Sequence, residues 1–235
     1  MTLAANDRIL DAPASAFRPA SAGLVLFALA MGGFAIGTTE FASMSLLPYF
    51  SAGLGVDEPT AGHVISIYAL GVVVGAPLIA VLAARIPRRT LLIGLMGVFA
   101  FGNALSALAP NYHWMLAFRF LSGLPHGAYF GVAALVAASL SAPNRRAQSV
   151  ARVMLGLTVA TILGVPVASW MGQVLGWRSG FAIVAGLALL TALLIALFAP
   201  RDTVQPGASP LRELGALKRR QVWLCLLYTS DAADE

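Results

Sequence analysis

Polar positions along this chain come in short clusters, and apolar positions come in long unbroken runs. Six runs stand out, at roughly 22–48, 61–84, 91–109, 114–139, 149–175 and 179–199. Each holds about 20 predominantly apolar residues, which at ~1.5 Å rise per residue matches the ~30 Å hydrocarbon core of a bilayer. In lipid only helices and closed barrels satisfy the backbone polar groups, and continuous runs rather than alternating ten-residue strands exclude the barrel. The pattern predicts an all-α polytopic membrane protein. Residues 1–21 precede a six-helix transmembrane bundle at 22–199, and residues 200–221 form a linker after it.

Composition agrees: the chain is 59% hydrophobic and 11% charged, against about a quarter charged in soluble domains. The net charge of +5 would suggest a nucleic-acid partner until the basic residues are placed. Arg8 and Arg18 precede the first run, Arg85, Arg88 and Arg89 follow the second, and Arg145, Arg146 and Arg152 flank the start of the fifth. Arg201, Arg212, Lys218, Arg219 and Arg220 follow the sixth, while the other loops hold Asp57, Glu58, His113 and, among bases, only Arg178. This asymmetry places the N-terminus and the linker in the cytoplasm. Tyr49, Phe50, Tyr112, Trp114 and Trp177 stand at the opposite ends, where an interfacial aromatic belt is expected. The basic residues therefore set topology and meet lipid headgroups, and no nucleic-acid partner is expected. The N-terminal stretch carries Asp7 and Asp11 and no cleavable signal pattern, so the first span is expected to stay in the mature protein. Cys225 is the one cysteine, which removes a disulfide framework or Cys-based metal site. No cofactor or metal is expected.

Shifting the chain by 89 positions lays GAPLIAVLAARIPRR over GVPVASWMGQVLGWR. Gly75, Pro77, Arg89 and Gly97 then match Gly164, Pro166, Arg178 and Gly186. The two copies cross the membrane in opposite directions, as an inverted three-plus-three repeat requires. The linker contains SPLRELGALKRR, with Ser209 as an N-cap and Pro210 at the first helical position. Its Leu211, Leu214 and Leu217 lie opposite Lys218, Arg219 and Arg220, which suits either an amphipathic helix on the cytoplasmic leaflet or a solvated linker.

Few ionisable groups remain at membrane depth. Glu40 in GTTEF is the one acid within a span, Arg119 in FRFLSG is the one base well inside, and His126 follows in GLPHG. A charge within a span costs at least ~2.5 kcal/mol on insertion scales, so such groups face a cavity or a partner. Counted from the span centres, Glu40 lies ~7 Å and Arg119 ~10 Å toward the outer side, at nearly one depth. His126 falls near the midplane, on the stripe that carries Arg119 and Gly123. A movement separating Glu40 from Arg119 would change the carboxyl's affinity for a proton, which proton coupling needs. The alternative is a static ion pair fastening spans one and four, with His126 simply hydrogen-bonded. Gly71 and Gly75 on span two, and Gly123, Gly127 and Gly131 on span four, make small-residue faces for close helix packing. Gly164-Val165-Pro166 marks a kink or a loosened helix in span five.

These stretches resemble the major facilitator superfamily, specifically its twelve-span drug and sugar efflux antiporters of the arabinose-efflux type, over residues 22–224, the first half of such a protein. GTTEFASMSLLP is similar to that family's first-span signature, with Glu40 in the acidic position. LAARIPRRTLL is similar to the loop motif G-x-L-A-D-R-x-G-R-R, with Arg85, Arg88 and Arg89 kept and Ala84 and Pro87 replacing the Asp and second Gly. RFLSGLPHG resembles the fourth-span motif whose arginine, here Arg119, is implicated in proton coupling. MLGLTVATILGVPVASWMG resembles the antiporter motif of span five, with Gly156, Gly164 and Pro166 kept and Ala168 and Ser169 at its later glycines.

The resemblance implies the six-helix N-terminal half of a major facilitator fold in a bacterial inner membrane. It implies alternating access against a missing C-terminal six-span half. Protons would run inward while a small drug-, sugar- or nucleoside-like solute leaves, with Glu40 carrying the proton, Arg119 tuning it and His126 a third residue of the proton-coupling set. Arg85, Arg88 and Arg89 would help close the inner gate, and Thr38, Thr39, Phe41 and Asn103 would contact the solute.

Three other readings compete. An intramembrane enzyme would need a G-x-S-x-G, an H-E-x-x-H or paired intramembrane acids, none of which is present. A facilitator or sensor would use Glu40 only as a structural partner. A fragment would not transport at all. On the last point the end of the chain bears directly. Val222-Trp223-Leu224 read as the start of a seventh span, after which CLLYTSDAADE turns polar and acidic. One back-translation of those eleven residues is the reverse complement of a transposon-end adapter used for sequencing libraries. Residues 225–235 are therefore expected to be non-native, which removes the cysteine and three of the ten acids. An adapter-free amplicon read across codon 224 is expected to continue through six further spans. A genuine stop after codon 235 would defeat that expectation and leave a six-span protein.

Overall fold

The computed structural model describes residues 19–83 and 85–201. Expectations for residues 1–18, for Ala84, and for 202–235, which include the amphipathic stretch after Ser209, the seventh span and the tail, lie outside the described residues.

The elements are α1 (Pro19–Ser45), α2 (Leu47–Leu54), α3 (Glu58–Leu82), α4 (Arg88–Ala107), α5 (Tyr112–Ser139), a 3-10 turn (Pro143–Arg145), α6 (Arg146–Val159), a π turn (Ala160–Gly164), α7 (Val165–Val174) and α8 (Trp177–Phe198). They supply six stretches long and apolar enough to cross a membrane: Ala22–Ser45, Glu58–Leu82, Arg88–Ala107, Tyr112–Ser139, Pro143–Val174 and Trp177–Phe198. The six expected runs agree with these spans to within a few residues. Span one breaks at Leu46 and continues as the short α2, which ends at Gly55 in the left-handed region, φ 69°, where a residue without Cβ is unstrained. Span four opens on Asn111, whose side chain accepts from the Trp114 amide at 3.2 Å and satisfies one orphan donor of the first turn.

Of the kink or loosened helix expected at Gly164-Val165-Pro166, the structure has the second, just ahead of the proline. A π turn at Ala160–Gly164 widens the helix, the Val165 amide reaches Ala160 O, and α7 follows without a break. Pro166 has no N–H to offer the carbonyl four residues back, and the wider turn ahead of it absorbs that loss.

Span two packs on span four and span five on span one; span three packs on span four and span six on span one; spans three and six face each other. Exchanging the first three spans with the last three turns the first of these contacts into the second and the third into the fourth, and leaves the contact of spans three and six unchanged. The glycines show how closely the paired helices approach. A Cβ on Gly71 or Gly75 would strike the backbone of Phe120 or Leu124, and one on Gly123 would strike Tyr68 O. In the other pair, a Cβ on Gly156 would strike the backbone of Ala30, and one on Gly164 the hydroxyl of Thr38. Gly37 would meet Leu157 and Ala160, which stand 89 positions after Tyr68 and Gly71. Gly37 and Gly123 are thus counterparts, as are Thr38 and Leu124, and both pairs are 86 positions apart. Spans two and five keep the 89-residue offset seen in the sequence, and spans one and four keep one three residues shorter.

Two packing expectations are corrected. Gly131 has nothing within 4 Å of its would-be Cβ and points outward, so only Gly123 and Gly127 of that stripe are packed. Phe50 and Trp177 are not belt residues: both are buried, edge to face at 6.3 Å, with Phe181 behind Trp177. The short loops fold these rings inward under the ends of spans one and six. Tyr49 and Trp114 are exposed.

The two arginines matched by the repeat do the same thing at opposite ends of the bundle. Arg89, at the start of span three, donates to Ala196 O at the end of span six. Arg178, at the start of span six, donates to Ala109 O just past the end of span three at 2.9 Å, and its guanidinium lies 4.2 Å from the Trp177 ring centroid. A cation that caps the carbonyl end of a helix is well placed against its dipole.

Candidate functional site

Arg119 organises the centre of the bundle. It projects from α5 and is 1% exposed, held by three other spans. Its two terminal nitrogens donate to Thr39 Oγ1 and Ser43 Oγ of span one, each at 3.2 Å. Thr39 and Ser43 are one helical turn apart and share a face, which the fork of a guanidinium can bridge. Thr39 in turn donates to Asn103 Oδ1 of span three at 2.8 Å, and Asn103 Nδ2 donates to Phe99 O. The guanidinium carbon lies 4.2 Å from the Tyr68 ring centroid on span two and 5.3 Å from that of Phe181 on span six. Arg119 Nε is buried with no partner.

No carboxylate completes this cage. Among the described residues no acid oxygen stands within 4.0 Å of a basic nitrogen, so the static Glu40–Arg119 ion pair is not formed. Hydroxyls and ring faces stand in for a counter-ion around the cation. A charge in that setting costs several kcal/mol more than a paired one. Glu40 is partly buried on span one, directly after Thr39 and one turn before Ser43. The guanidinium therefore reaches the residues on either side of Glu40 and leaves the carboxyl itself unbonded.

His126 lies two turns beyond Arg119 on α5. Its Nδ1 is 2.9 Å from the Tyr68 hydroxyl, and its ring packs near Phe130 at 5.4 Å. Arg119, Gly123 and His126 all face Tyr68. With the 86-residue offset of spans one and four, His126 is the counterpart of Glu40: each repeat puts one titratable side chain at this place.

The residues expected to contact a solute divide between different surfaces. Thr39 and Asn103 are buried and bonded to each other. Thr38 is buried against Gly164, with its hydroxyl bonded to Phe34 O. Phe41, like Glu40, is partly buried. Of the motif glycines, Gly156 and Gly164 hold span five against span one, and Pro166 is exposed. Of the loop arginines, Arg85 is exposed, Arg88 opens α4, and Arg89 is occupied at the end of span six. No group of three His, Cys, Asp or Glu able to hold a metal ion occurs among the described residues.

Sequence reasoning missed Ser43, Tyr68 and Phe181. Ser43 was within reach, four residues after Thr39 on the same stripe. Tyr68 was too, since it precedes Gly71 and Gly75 by three and seven residues and so shares their packed face. Phe181 carries no local signal, because its ring meets Arg119 only through tertiary packing.

A sequence model of the Major Facilitator Superfamily matches residues 29–230. The inner membrane transport protein YdhP of Escherichia coli is 46% identical over 206 residues, covering 87% of this chain and 52% of that protein. The putative transporter AraJ of E. coli is 40% identical over 68% of this chain and 41% of its own length. The chloramphenicol resistance protein of Streptomyces lividans is 39% identical over 87% of this chain and 53% of its own. This chain spans about half the length of the relatives it matches. A bacterial homologue of the human lysosomal transporter Spinster, solved inward-facing and unoccupied, superimposes with a TM-score of 0.68 at 19% identity, over 85% of this chain and 50% of that one. The proton:xylose symporter XylE gives 0.63 at 19% identity, over 77% and 45%.

Proposed function

The chain belongs to the major facilitator superfamily, and from that footing we propose that it supplies the first six spans of a transporter that exchanges protons for a small solute by alternating access. The observation that carries the reading is the buried Arg119, caged by Thr39 and Ser43 of span one with no carboxylate in contact while Glu40 stands between them in sequence. Any rotation or slide of span one against span four moves Glu40 relative to a fixed positive charge. Bringing the carboxyl toward the guanidinium favours proton release, and withdrawing it favours uptake. Because spans one and four belong to opposite repeats, a shift of one repeat against the other within the half, as the two halves rock, converts into that displacement. On this reading the N-terminus is cytoplasmic, Glu40 carries the proton inward and Arg119 tunes it. The basic loop at Arg85 and Arg88 faces the inner gate, and the second six spans complete the cavity. Phe41, partly buried directly after Glu40, stands as the candidate solute contact.

For the solute, the relative named for chloramphenicol resistance and another named a probable sugar efflux transporter support a small uncharged molecule rich in oxygen. Chloramphenicol is the probe to begin with.

The test uses the intact transporter in everted vesicles. An imposed pH gradient is expected to drive chloramphenicol uptake. Glu40→Gln is expected to cut that gradient-driven flux at least tenfold while gradient-free exchange continues. Full pH-driven flux in Glu40→Gln would instead make the protein a facilitator in which Glu40 is structural.

A further inference from the structure

We propose that Tyr68 holds His126 as a neutral hydrogen-bond donor, with Nε2–H turned outward to bind an oxygen acceptor on the solute, at the place where the other repeat carries Glu40. The inference deepens the transport reading above and rests on it for the word solute. The argument begins at Tyr68, whose ring face is occupied by the Arg119 guanidinium at 4.2 Å and whose hydroxyl is 2.9 Å from His126 Nδ1. A cation against a phenol ring draws electron density from the oxygen and makes the O–H the stronger donor. Tyr68 therefore donates and Nδ1 accepts. An imidazole that accepts at Nδ1 is neutral and carries its one proton on Nε2.

Nε2 is the free end. Among the described residues it has no hydrogen-bond partner, yet the only fully buried side-chain nitrogens left unpartnered are Nε of Arg89 and of Arg119. His126 is partly buried, so its N–H keeps an open side. The rings of Tyr68 at 5.8 Å and Phe130 at 5.4 Å pack against it, each tilted by 58°. Together with the hydroxyl bond at Nδ1 they hold the ring and aim its single donor. A donor of that kind suits a carbonyl, hydroxyl or ether oxygen and gives nothing to a cation or an acceptor-free hydrocarbon. The inverted repeat adds the division of labour: equivalent places hold a carboxyl for the proton and an imidazole N–H for the cargo.

Three measurements on the intact transporter test this. In nitrogen-15 NMR of histidine-labelled protein, with the His126 signals assigned by their loss in His126→Gln, wild type is expected to show Nε2 protonated and Nδ1 bare. Tyr68→Phe keeps a ring under Arg119 but removes the hydroxyl, and is expected to yield exchange between tautomers. A wild-type ring protonated on Nδ1, or one indifferent to Tyr68→Phe, overturns the proposal. With any other cysteine of the intact transporter replaced by Ser, His126→Cys is expected to react with a charged methanethiosulfonate from water; no reaction would place His126 in a closed packing seam and also overturn it. In the chloramphenicol assay, His126→Leu is expected to raise KM about tenfold, the size of one lost hydrogen bond, with the pH dependence of flux kept and KM restored by His126→Gln. An unchanged KM in His126→Leu would refute the solute contact. Failure of the transport reading would show in Glu40→Gln alone and leave the tautomer and labelling results standing.

Discussion

Arg119→Met is expected to yield a protein at least as heat-stable as its parent that no longer couples flux to pH. Removing one partner of a buried ion pair destabilises because it strands the other charge, but here no carboxylate is bonded to the guanidinium, and Glu40 is only partly buried. The groups that lose a partner are two hydroxyls. Ser43 keeps its own bond to Thr39 O, and Thr39 keeps Asn103. Methionine has similar length, no desolvation cost and a sulfur that packs well against the rings of Tyr68 and Phe181. Replacing buried ionic groups by fitting apolar ones is often neutral or stabilising by about 1–4 kcal/mol. Coupling should nonetheless fall by a hundredfold or more, since the fixed charge that Glu40 moves against has gone. The check pairs a thermal midpoint from fluorescence-detected size exclusion with pH-driven flux. A sharp drop in the midpoint would mean the arginine is structural; retained coupling would remove it from the proposed mechanism. Arg119→Lys keeps a charge but cannot bridge Thr39 and Ser43 with a planar fork, and it is expected to fall between.

The second large effect is at the helix crossings. Gly75→Val places a Cβ against the backbone of Leu124, which cannot turn aside as a side chain can. Overpacking usually costs about 1–3 kcal/mol, and a backbone obstacle puts this substitution at the upper end or prevents assembly of spans two and four. Gly164→Val is expected to be milder, because its nearest obstacle is the Thr38 hydroxyl, which can rotate. Gly94→Ala and Gly97→Ala meet nothing within 4 Å and should leave the thermal midpoint unchanged or raise it slightly. Equal sensitivity at all four positions would show that membrane insertion, not helix crossing, limits stability.

The spans were legible in the sequence because lipid imposes length and apolarity so strictly that little else is compatible. Glu40, Arg119 and His126 were legible for the same reason, since a polar group at that depth stands out against its neighbours. What surrounds them was less visible. Tyr68 reads as one more aromatic in an apolar run, and nothing local says that its ring carries a guanidinium and its hydroxyl an imidazole. The alternative of a static ion pair is not formed, because depth along two helices says nothing about rotation around them: Thr39 and Ser43, not Glu40, accept the guanidinium's hydrogen bonds. The inverted repeat was detectable at one offset only. The three-residue difference between span pairs hides the match between Glu40 and His126 until the close glycine contacts align the helices.

The crosswise packing of the two repeats has a consequence for how the chain is made. Gly71 and Gly75 find their partners only when Gly123 and Leu124, about fifty residues later, have left the ribosome; at ~5–20 residues per second that is several seconds. Gly37 waits longer still, for Leu157 and Ala160 of span five. During that interval the first three spans sit in the bilayer with their narrowest faces turned to lipid or to the insertion machinery. The smallest piece able to close its own contacts is therefore the whole set of six, and a nascent chain halted after span three leaves the Gly37, Gly71 and Gly75 faces open.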